Sequence, residues 1–526
     1  VDLQHVLLAT FERAPGRLAL VGDTERTYAE LADESLRLAS AFESMGVRRG
    51  DRVATMVPNG AAYVVTHIAT QLIGACAVPL NTRYSQDEAT YCLSDSDPTI
   101  VIAAEEHLDT VDVARAEYDG RFAVVSSHAT GKGAQLALQE MIDGSTPASL
   151  SRVHDSDPSV LLYTSGTTGR PKGVLRTHSM EFSASISMAH QTRWTPEDST
   201  LGVMPNYHTM GLHAMLSMIL FGGTYAPMAS FGVDEAINYV ADNALTTACL
   251  IPTLYWRLVH SPRAAEGLRS LNKLMVGGAP LTSELALRIR EVIDPEVFVN
   301  WYGCTEIFSF SVEENPSARP GSVGHPTLLS RLRVVDPDTE AHRSSPDDLV
   351  AAGEIGQIIV AAERQDDAFT GYLNRPEADE KALRGGWYFT GDLGRVDEDG
   401  RYWLVGRGDD VIITGGENVY ATEVEDALEH CPGVSEIVVC GLPHDEWGQV
   451  VTAFVVLEDP SDHLAGAENM LSWVRAHSRL SGFKRPKRVI VVDAIPKSAI
   501  GKVLRRKLVA GHYTALADVT RTPNPV

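Results

Sequence analysis

From Thr27 the chain reads Thr-Tyr-Ala-Glu-Leu, and apolar residues at Leu31, Leu36, Leu38, Phe42 and Met45 come next, before Gly46. That spacing predicts a helix stopped by the glycine. Asp51 to Ala54 reads as a strand and Pro58-Asn59-Gly60 as a turn. Short apolar runs at 77–80, 99–102 and 122–125 continue the alternation of strand-like and helix-like segments. Such alternation predicts an α/β fold with largely parallel sheets. A further apolar run, Val160 to Tyr163, suits a buried strand, and the residues after it are chemically unusual.

The stretch Thr164-Ser165-Gly166-Thr167-Thr168-Gly169-Arg170-Pro171-Lys172-Gly173 concentrates hydroxyls, glycines and a lysine. Glycines let backbone N–H groups turn toward an anion, the four hydroxyls donate hydrogen bonds, and Lys172 adds charge. A Walker A loop needs Gly, four residues, then Gly-Lys-Ser/Thr opening into a helix. Here Pro171 precedes the lysine and Gly173-Val174-Leu175 comes after it, which disfavours a P-loop nucleotidase. A plain Ser/Thr/Gly linker is disfavoured too, because strand-like runs flank the stretch.

At 526 residues the chain exceeds one ordinary core, so two or three domains are expected. The net charge of −24 argues against a nucleic-acid partner. No apolar run is long enough to span a bilayer, and Asp2, Gln4, His5 and Glu12 make a poor signal peptide, so neither a membrane partner nor secretion is expected. The six cysteines are far apart and lack zinc spacing, as in reduced core residues of a cytoplasmic protein. Charge is uneven: between Met470 and Ala510 there are eleven Lys or Arg against one acid, Asp493. A basic terminal module suits a phosphate-rich ligand, and a solvated face would look the same.

The phosphate-loop stretch resembles that of the acyl-adenylate-forming superfamily, whose members include acyl- and aryl-CoA synthetases. Further motifs extend the resemblance from Thr27 to Lys507. It implies a large N-terminal domain, residues 1–408, of αβ layers with β-sheets and a β-barrel-like part. A small α+β C-terminal domain, residues 409–526, would be joined to it by a hinge at Asp409. Asn300-Trp301-Tyr302-Gly303-Cys304-Thr305-Glu306 is similar to the motif whose aromatic ring packs on adenine, whose threonine contacts the α-phosphate and whose glutamate holds Mg2+. A lone carboxylate beside substrate phosphates is what that ion asks for. Gly277-Gly278-Ala279-Pro280 resembles the loop along adenine and the acyl pocket, Asp392 the ribose ligand, and Arg407 a ribose or phosphate contact. Lys502 resembles the catalytic lysine that bridges carboxylate and α-phosphate, and His208 the gate histidine beside the carboxylate.

By the same resemblance, Thr164, Ser165, Gly166, Thr167, Thr168 and Lys172 bind the nucleotide. His208, Met210, Gly277, Trp301, Gly303, Phe308 and Ser309 line the acyl pocket. Phe483-Lys484-Arg485-Pro486-Lys487 and Trp447 look like the CoA-binding residues of the 4-chlorobenzoate:CoA ligase type, with Gly415 and Gly416 along the pantetheine tunnel. The expectation is an ATP-dependent, Mg2+-assisted acid–thiol ligase that takes a bulky cyclic or aromatic acid and coenzyme A. Alternatives are a stand-alone enzyme loading a carrier protein, a medium- or long-chain fatty acid CoA ligase, a luciferase-like oxidoreductase and a non-enzymatic nucleotide-binding protein. A homodimer is a further expectation.

Overall fold

The computed structural model describes residues 1–520 except 23, 118–121, 129–133, 135, 165–169, 339–342, 363–368, 446, 460, 478–479, 481 and 499–500. The helix expected after Thr27 runs Tyr28–Ser44. The Thr27 hydroxyl accepts from Glu30 N while Glu30 accepts from Thr27 N at 2.8 Å, which satisfies two end donors reciprocally. Leu31, Leu38 and Phe42 are fully buried, each worth about 1.5–3 kcal/mol on removal from water. Gly46, at φ +96°, supplies the left-handed conformation that ends the turn.

By contacts the chain forms two compact units: residues 1–332 with 360–388, and residues 333–359 with 389–526. The first unit holds two sheets. One has the order Leu136–Ala137, Ala123–Ser126, Ile100–Ala103, Arg52–Met56, Cys76–Pro79, Pro158–Thr164, Lys172–Thr177. Its pairs are parallel except the last, where Thr164 lies opposite Lys172 in an antiparallel hairpin. The other runs Ser322–Pro326, Ser311–Glu313, Val297–Tyr302, Lys273–Gly277, Thr247–Leu250, Ser199–Gly202, Thr224–Pro227, Leu18–Leu20, Arg26–Thr27. Its middle pairs are parallel and helix-connected, so the strands are apolar on both faces.

Asn59, in the predicted turn, ties the two sheets together. Its Nδ2 donates to the Gly202 and Met204 carbonyls at 2.8 Å each, and its Oδ1 accepts from Asn206 N at 3.0 Å.

The strands Gly356–Ala361, Trp387–Val396 and Tyr402–Arg407, most of whose residues belong to the second unit, pair in that order. A further sheet has the order Glu417–Tyr420, Val411–Thr414, Gly448–Leu457, Arg488–Val492, Ala515–Thr520, with Val434–His444 also on Gly448–Leu457. No closed strand circuit stands for the barrel-like part among the described residues. Gly408–Asp410, which carries the expected hinge residue Asp409, is a 3-10 turn. All six cysteines are free, five of them buried, as their apolar surroundings suggested.

Candidate active site

The phosphate-loop stretch joins the two strands of the Thr164/Lys172 hairpin. Ser165, Gly166, Thr167 and Thr168 lie outside the described residues. Both ends of the loop are fixed. Tyr163 donates to Asp95 at 2.9 Å from one strand, and the Lys172 ammonium sits 4.7 Å from the centre of the Tyr372 ring from the other. The Tyr372 hydroxyl donates to Glu306 Oε1 at 2.6 Å, and Phe369 N donates to the Glu306 carbonyl at 3.2 Å. Burial, then the Glu306 charge, pushes the Tyr372 hydroxyl far above its ordinary value, so it stays a donor. Lys172 and Glu306 are thereby linked through one tyrosine that sequence reasoning missed.

Glu306 sits in the turn after the buried strand Val297–Tyr302. Asn300 Nδ2 donates to the Ser322 carbonyl at 3.0 Å, and Tyr302 packs edge-on against Phe310, ring centres 4.9 Å apart. A Cβ on Gly303 would lie 1.9 Å from the Phe308 carbonyl oxygen. Gly277, opposite Trp301, would place a Cβ 2.8 Å from the Trp301 carbonyl and 3.2 Å from Met210 Cε. Neighbouring backbone, then, holds both positions to glycine. Gly278, at φ +80°, turns the chain toward Ala279 and Pro280.

Trp301 Nε1 donates to the Phe308 carbonyl at 3.2 Å and the two rings lie 5.2 Å apart, so Met210, Gly277, Trp301, Gly303 and Phe308 form one wall. Ser309 is bound instead to Thr327 at 2.7 Å and Ser187 at 3.1 Å. Cys304 is half-buried beside Glu306, and burial with that charge pushes its thiol well up, which suits a filler rather than a nucleophile.

His208 precedes the helix Thr209–Phe221, on the segment Asn59 holds, with its ring 4.7 Å from that of Tyr207. Burial pulls its imidazole down to about 4, and Nε2 has no hydrogen-bond partner among the described residues. A neutral ring at pH 7 suits a gate beside a carboxylate and makes a weak base.

Behind this wall lies an ion cluster that no motif announced. Arg176, 1% exposed, donates through Nε to Glu181, 0% exposed, and through Nη1 to the Thr305 carbonyl at 2.8 Å. His213 Nε2 stands 3.1 Å from the other Glu181 oxygen, and its ring lies 4.1 Å from Phe308. Burial drives the Glu181 carboxyl up, but Arg176 and His213 outweigh it and hold it at about 2. One carboxylate therefore orients two side chains, which touch Thr305 and Phe308, at either end of the turn bearing Glu306. Arg176 and Glu181 are five residues apart across a strand-helix junction; their only sequence signal is a pair of opposite charges within apolar runs.

In the second unit Asp392 and Arg407 face each other across antiparallel strands, Nη1 to Oδ1 2.7 Å, and Thr390 Oγ1 accepts from Asp392 N at 2.9 Å. Lys502 is exposed on a tight turn. Ser498 N donates to its carbonyl at 2.7 Å, Gly501 takes φ +78°, and the side chain makes no ion pair among the described residues.

The Lys487 ammonium lies 3.4 Å from the centre of the Trp447 ring, which stacks on His444, and the Trp447 carbonyl accepts from Gly415 N at 3.0 Å. Gly415 and Gly416 make the turn at φ +61° and +84°, with open space around each, so the turn requires glycine there. Arg485 Nε donates to the Leu480 carbonyl at 2.9 Å and Phe483 is exposed. The structure thus groups Gly415, Trp447 and Lys487, and separately Asp392 with Arg407.

Residues 7–373 match the AMP-binding enzyme family and residues 423–502 the AMP-binding enzyme C-terminal domain. The chain is 35% identical over 489 residues to a feruloyl-CoA synthase from an Amycolatopsis species, covering 92% of this chain and 93% of that protein. It is 33% identical over 523 residues to a 4-chlorobenzoate–CoA ligase from an Arthrobacter species, covering 98% and 95%. Among solved structures, ATP-bound MatB from Rhodopseudomonas palustris superposes with a TM-score of 0.87 at 30% identity, over 97% of this chain and 99% of that one.

Proposed function

The chain belongs to the AMP-binding enzyme family, and on that premise we propose that it activates a bulky aromatic or cyclic carboxylic acid with ATP and transfers the acyl group to coenzyme A. Its relatives are AMP-forming acyl-CoA ligases, acid–thiol ligases that use ATP and CoA. The carboxylate oxygen attacks the α-phosphorus and pyrophosphate leaves. The CoA thiolate then attacks the acyl carbonyl and AMP leaves.

The observation that carries this reading is the joining of Lys172 to Glu306 through Tyr372, next to the apolar wall of Met210, Trp301 and Phe308. Glu306 fits as a holder of Mg2+: it is a hard carboxylate with one oxygen steadied by Tyr372, which suits an ion that takes one carboxylate beside substrate phosphates. Bound there beside the phosphates, the ion would neutralise charge on the leaving pyrophosphate. Lys502 would meet charge developing at the α-phosphate. Asp392, acceptor-only, would take the ribose hydroxyls, with Arg407 fixing its orientation. Asp409 would be the pivot that lets the terminal residues present Lys502 in one step and Phe483, Arg485 and Lys487 in the next.

No helix among the described residues is long and apolar enough to cross a membrane, and six free cysteines agree with a cytoplasmic place. Pyrophosphate release measured over a panel of carboxylic acids, and then thioester formation with CoA, tests the reading. Release with aliphatic acids alone would overturn the substrate class, and thioester formation on a carrier protein but not on CoA would overturn the acceptor. Replacing Asp409 by Pro should spare single-turnover pyrophosphate release and block CoA transfer. Unimpaired thioester synthesis by that variant would remove the pivot.

A further inference from the structure

The strand Lys172–Thr177 reaches the Thr305–Glu306 turn twice. Lys172 and Arg176 are four residues apart, so the two-residue repeat of a strand puts them on one face. From Lys172 the path runs through the Tyr372 ring to Glu306 Oε1, and from Arg176 it runs straight to the Thr305 carbonyl. Thr305 and Glu306 lie in an irregular turn, where no ladder fixes the backbone and each carbonyl needs a donor of its own. Four successive carbonyls have one: Thr305 from Arg176 Nη1 at 2.8 Å, Glu306 from Phe369 N at 3.2 Å, Ile307 from Cys304 N at 3.2 Å and Phe308 from Trp301 Nε1 at 3.2 Å. The first is the shortest of the four and the one whose donor is charged, which makes it about twice as strong as a neutral bond.

A buried Arg–Glu pair holds a helix to a strand no better than apolar side chains of similar volume would. What the charges add is direction. Glu181, in the first turn of the helix His178–Thr192, takes Arg176 Nε with one oxygen and stands 3.1 Å from His213 Nε2 with the other, and His213 Nδ1 is tied to the Thr209 carbonyl at 2.8 Å. One edge of the guanidinium is thereby fixed, and its rigid fork aims Nη1 at Thr305.

We infer that Arg176 is a positioning residue for adenylate formation: through the Thr305 carbonyl it sets the Thr305 hydroxyl and the Glu306 carboxylate where they meet the α-phosphate and its Mg2+. The inference rests on the reading of those two residues as phosphate and metal contacts. With 1% of its side chain exposed, Arg176 acts through the turn and not on substrate.

Two variants separate this from a role in folding. Arg176→Lys keeps a cation for Glu181 but loses the planar fork, so it cannot serve Glu181 and the Thr305 carbonyl in the present geometry. Arg176→Met combined with Glu181→Leu removes the pair as a whole and should melt within a few degrees of wild type. Both should slow single-turnover pyrophosphate release by about tenfold or more, the scale of a displaced preorganised group, and leave thioester formation from supplied acyl-adenylate within about twofold. Calorimetric affinity for MgATP in the absence of acid should weaken by about threefold or more in both. Leu216→Ala, at a fully buried position of the helix Thr209–Phe221, is the control: melting falls while MgATP affinity and the ratio of the half-reactions stay as they are.

Pyrophosphate release at the wild-type rate in either folded variant, equal losses in the two half-reactions, or losses that follow melting across all three proteins would overturn the inference and leave the synthetase reading intact. A double variant too unstable to purify would show that the pair serves the fold, and would overturn it too. Absence of pyrophosphate release by the wild-type protein with every acid would overturn the synthetase reading and the inference with it.

Discussion

The candidate residues of the first unit and those of the second are held in opposite ways. Glu306 is 8% exposed and accepts from Tyr372, 66 residues away, while Glu181 and Arg176 are buried and Arg176 also donates to the Thr305 carbonyl, 129 residues away. Lys502 and Phe483 stand exposed on turns, and what holds the Lys502 turn is local: Ser498 N donates to the Lys502 carbonyl at 2.7 Å and Ser498 Oγ accepts from Lys502 N at 3.1 Å. Where the nucleotide and acid would sit, orientation is fixed in advance. The side chains that the proposed two-step reaction would move, Lys502 and Phe483, are exposed, and moving an exposed group leaves no buried charge behind.

The sharpest way to break this comparison is to remove one charge from each kind of setting. Glu181→Ala leaves Arg176 buried without its carboxylate, and the first unit should lose about 3–5 kcal/mol in urea unfolding. Glu436→Ala, which frees Lys497 from a surface pair in the second unit, should lose under about 1 kcal/mol. Equal losses would mean the two settings are not different in kind.

Next in size is catalysis without stability. Lys502→Ala removes an exposed cation and should leave melting unchanged while slowing adenylate formation by about 10²-fold or more. Thioester formation from supplied acyl-adenylate should suffer much less. Equal losses in the two half-reactions would take Lys502 out of the first step.

Acid should also separate the units. Burial pulls His67 and His178, in the first unit, from 6.5 down to about 4. Because these folded values lie below the unfolded one, the unfolded chain binds protons first as pH falls. The stability the rings contribute is whole above pH 6.5 and drains between 6.5 and 4, on the order of 1–2 kcal/mol per ring by pH 5. Glu425, in the second unit, has the opposite sign. Burial holds its carboxyl above the usual range despite Arg505, so falling pH relieves it. Melting monitored from pH 7.5 to 5 should show the first unit destabilised and the second little changed or firmer. A first unit as stable at pH 5 as at 7.5 would place those rings in contact with water.

Legibility in the sequence divides along the same line. The helix from Thr27, its stop at Gly46, the strands flanking the phosphate-loop stretch and the parallel sheets rest on local pattern, and all were legible; that the two flanking strands pair antiparallel was not. What is expected of Lys502, Asp392 and Phe483 came from resemblance, since neither the exposed Lys502 and Phe483 nor the half-buried, ion-paired Asp392 leaves a trace in periodicity. Tyr372 and the cluster of Arg176, Glu181 and His213 were illegible because partners 66 or 129 residues apart meet only in the fold. The motif around Glu306 names the residue but not what orients it. Gly277 and Gly303 are expected along the acyl pocket, and what the sequence does not show is that backbone oxygens of Trp301 and Phe308 lie where a Cβ would come.

The smallest effect belongs to the surface around Trp447. Lys487 lies over that indole, His444 stacks on it with the rings 12° from parallel, and the Trp447 carbonyl holds Gly415 N. A half-buried cation on an aromatic ring contributes about 0.5–1 kcal/mol, and its charge toward a phosphate is screened by salt. Lys487→Ala should therefore raise KM for CoA by only about 3–10-fold, with pyrophosphate release from ATP and acid unchanged. The gap between wild type and variant should narrow as salt rises, because only the wild type has charge to screen. Trp447→Ala should add to the loss, since it removes the platform that places the ammonium. An equal fall in pyrophosphate release, or a gap indifferent to salt, would show that this surface supports the fold of the second unit and does not receive the phosphates of CoA.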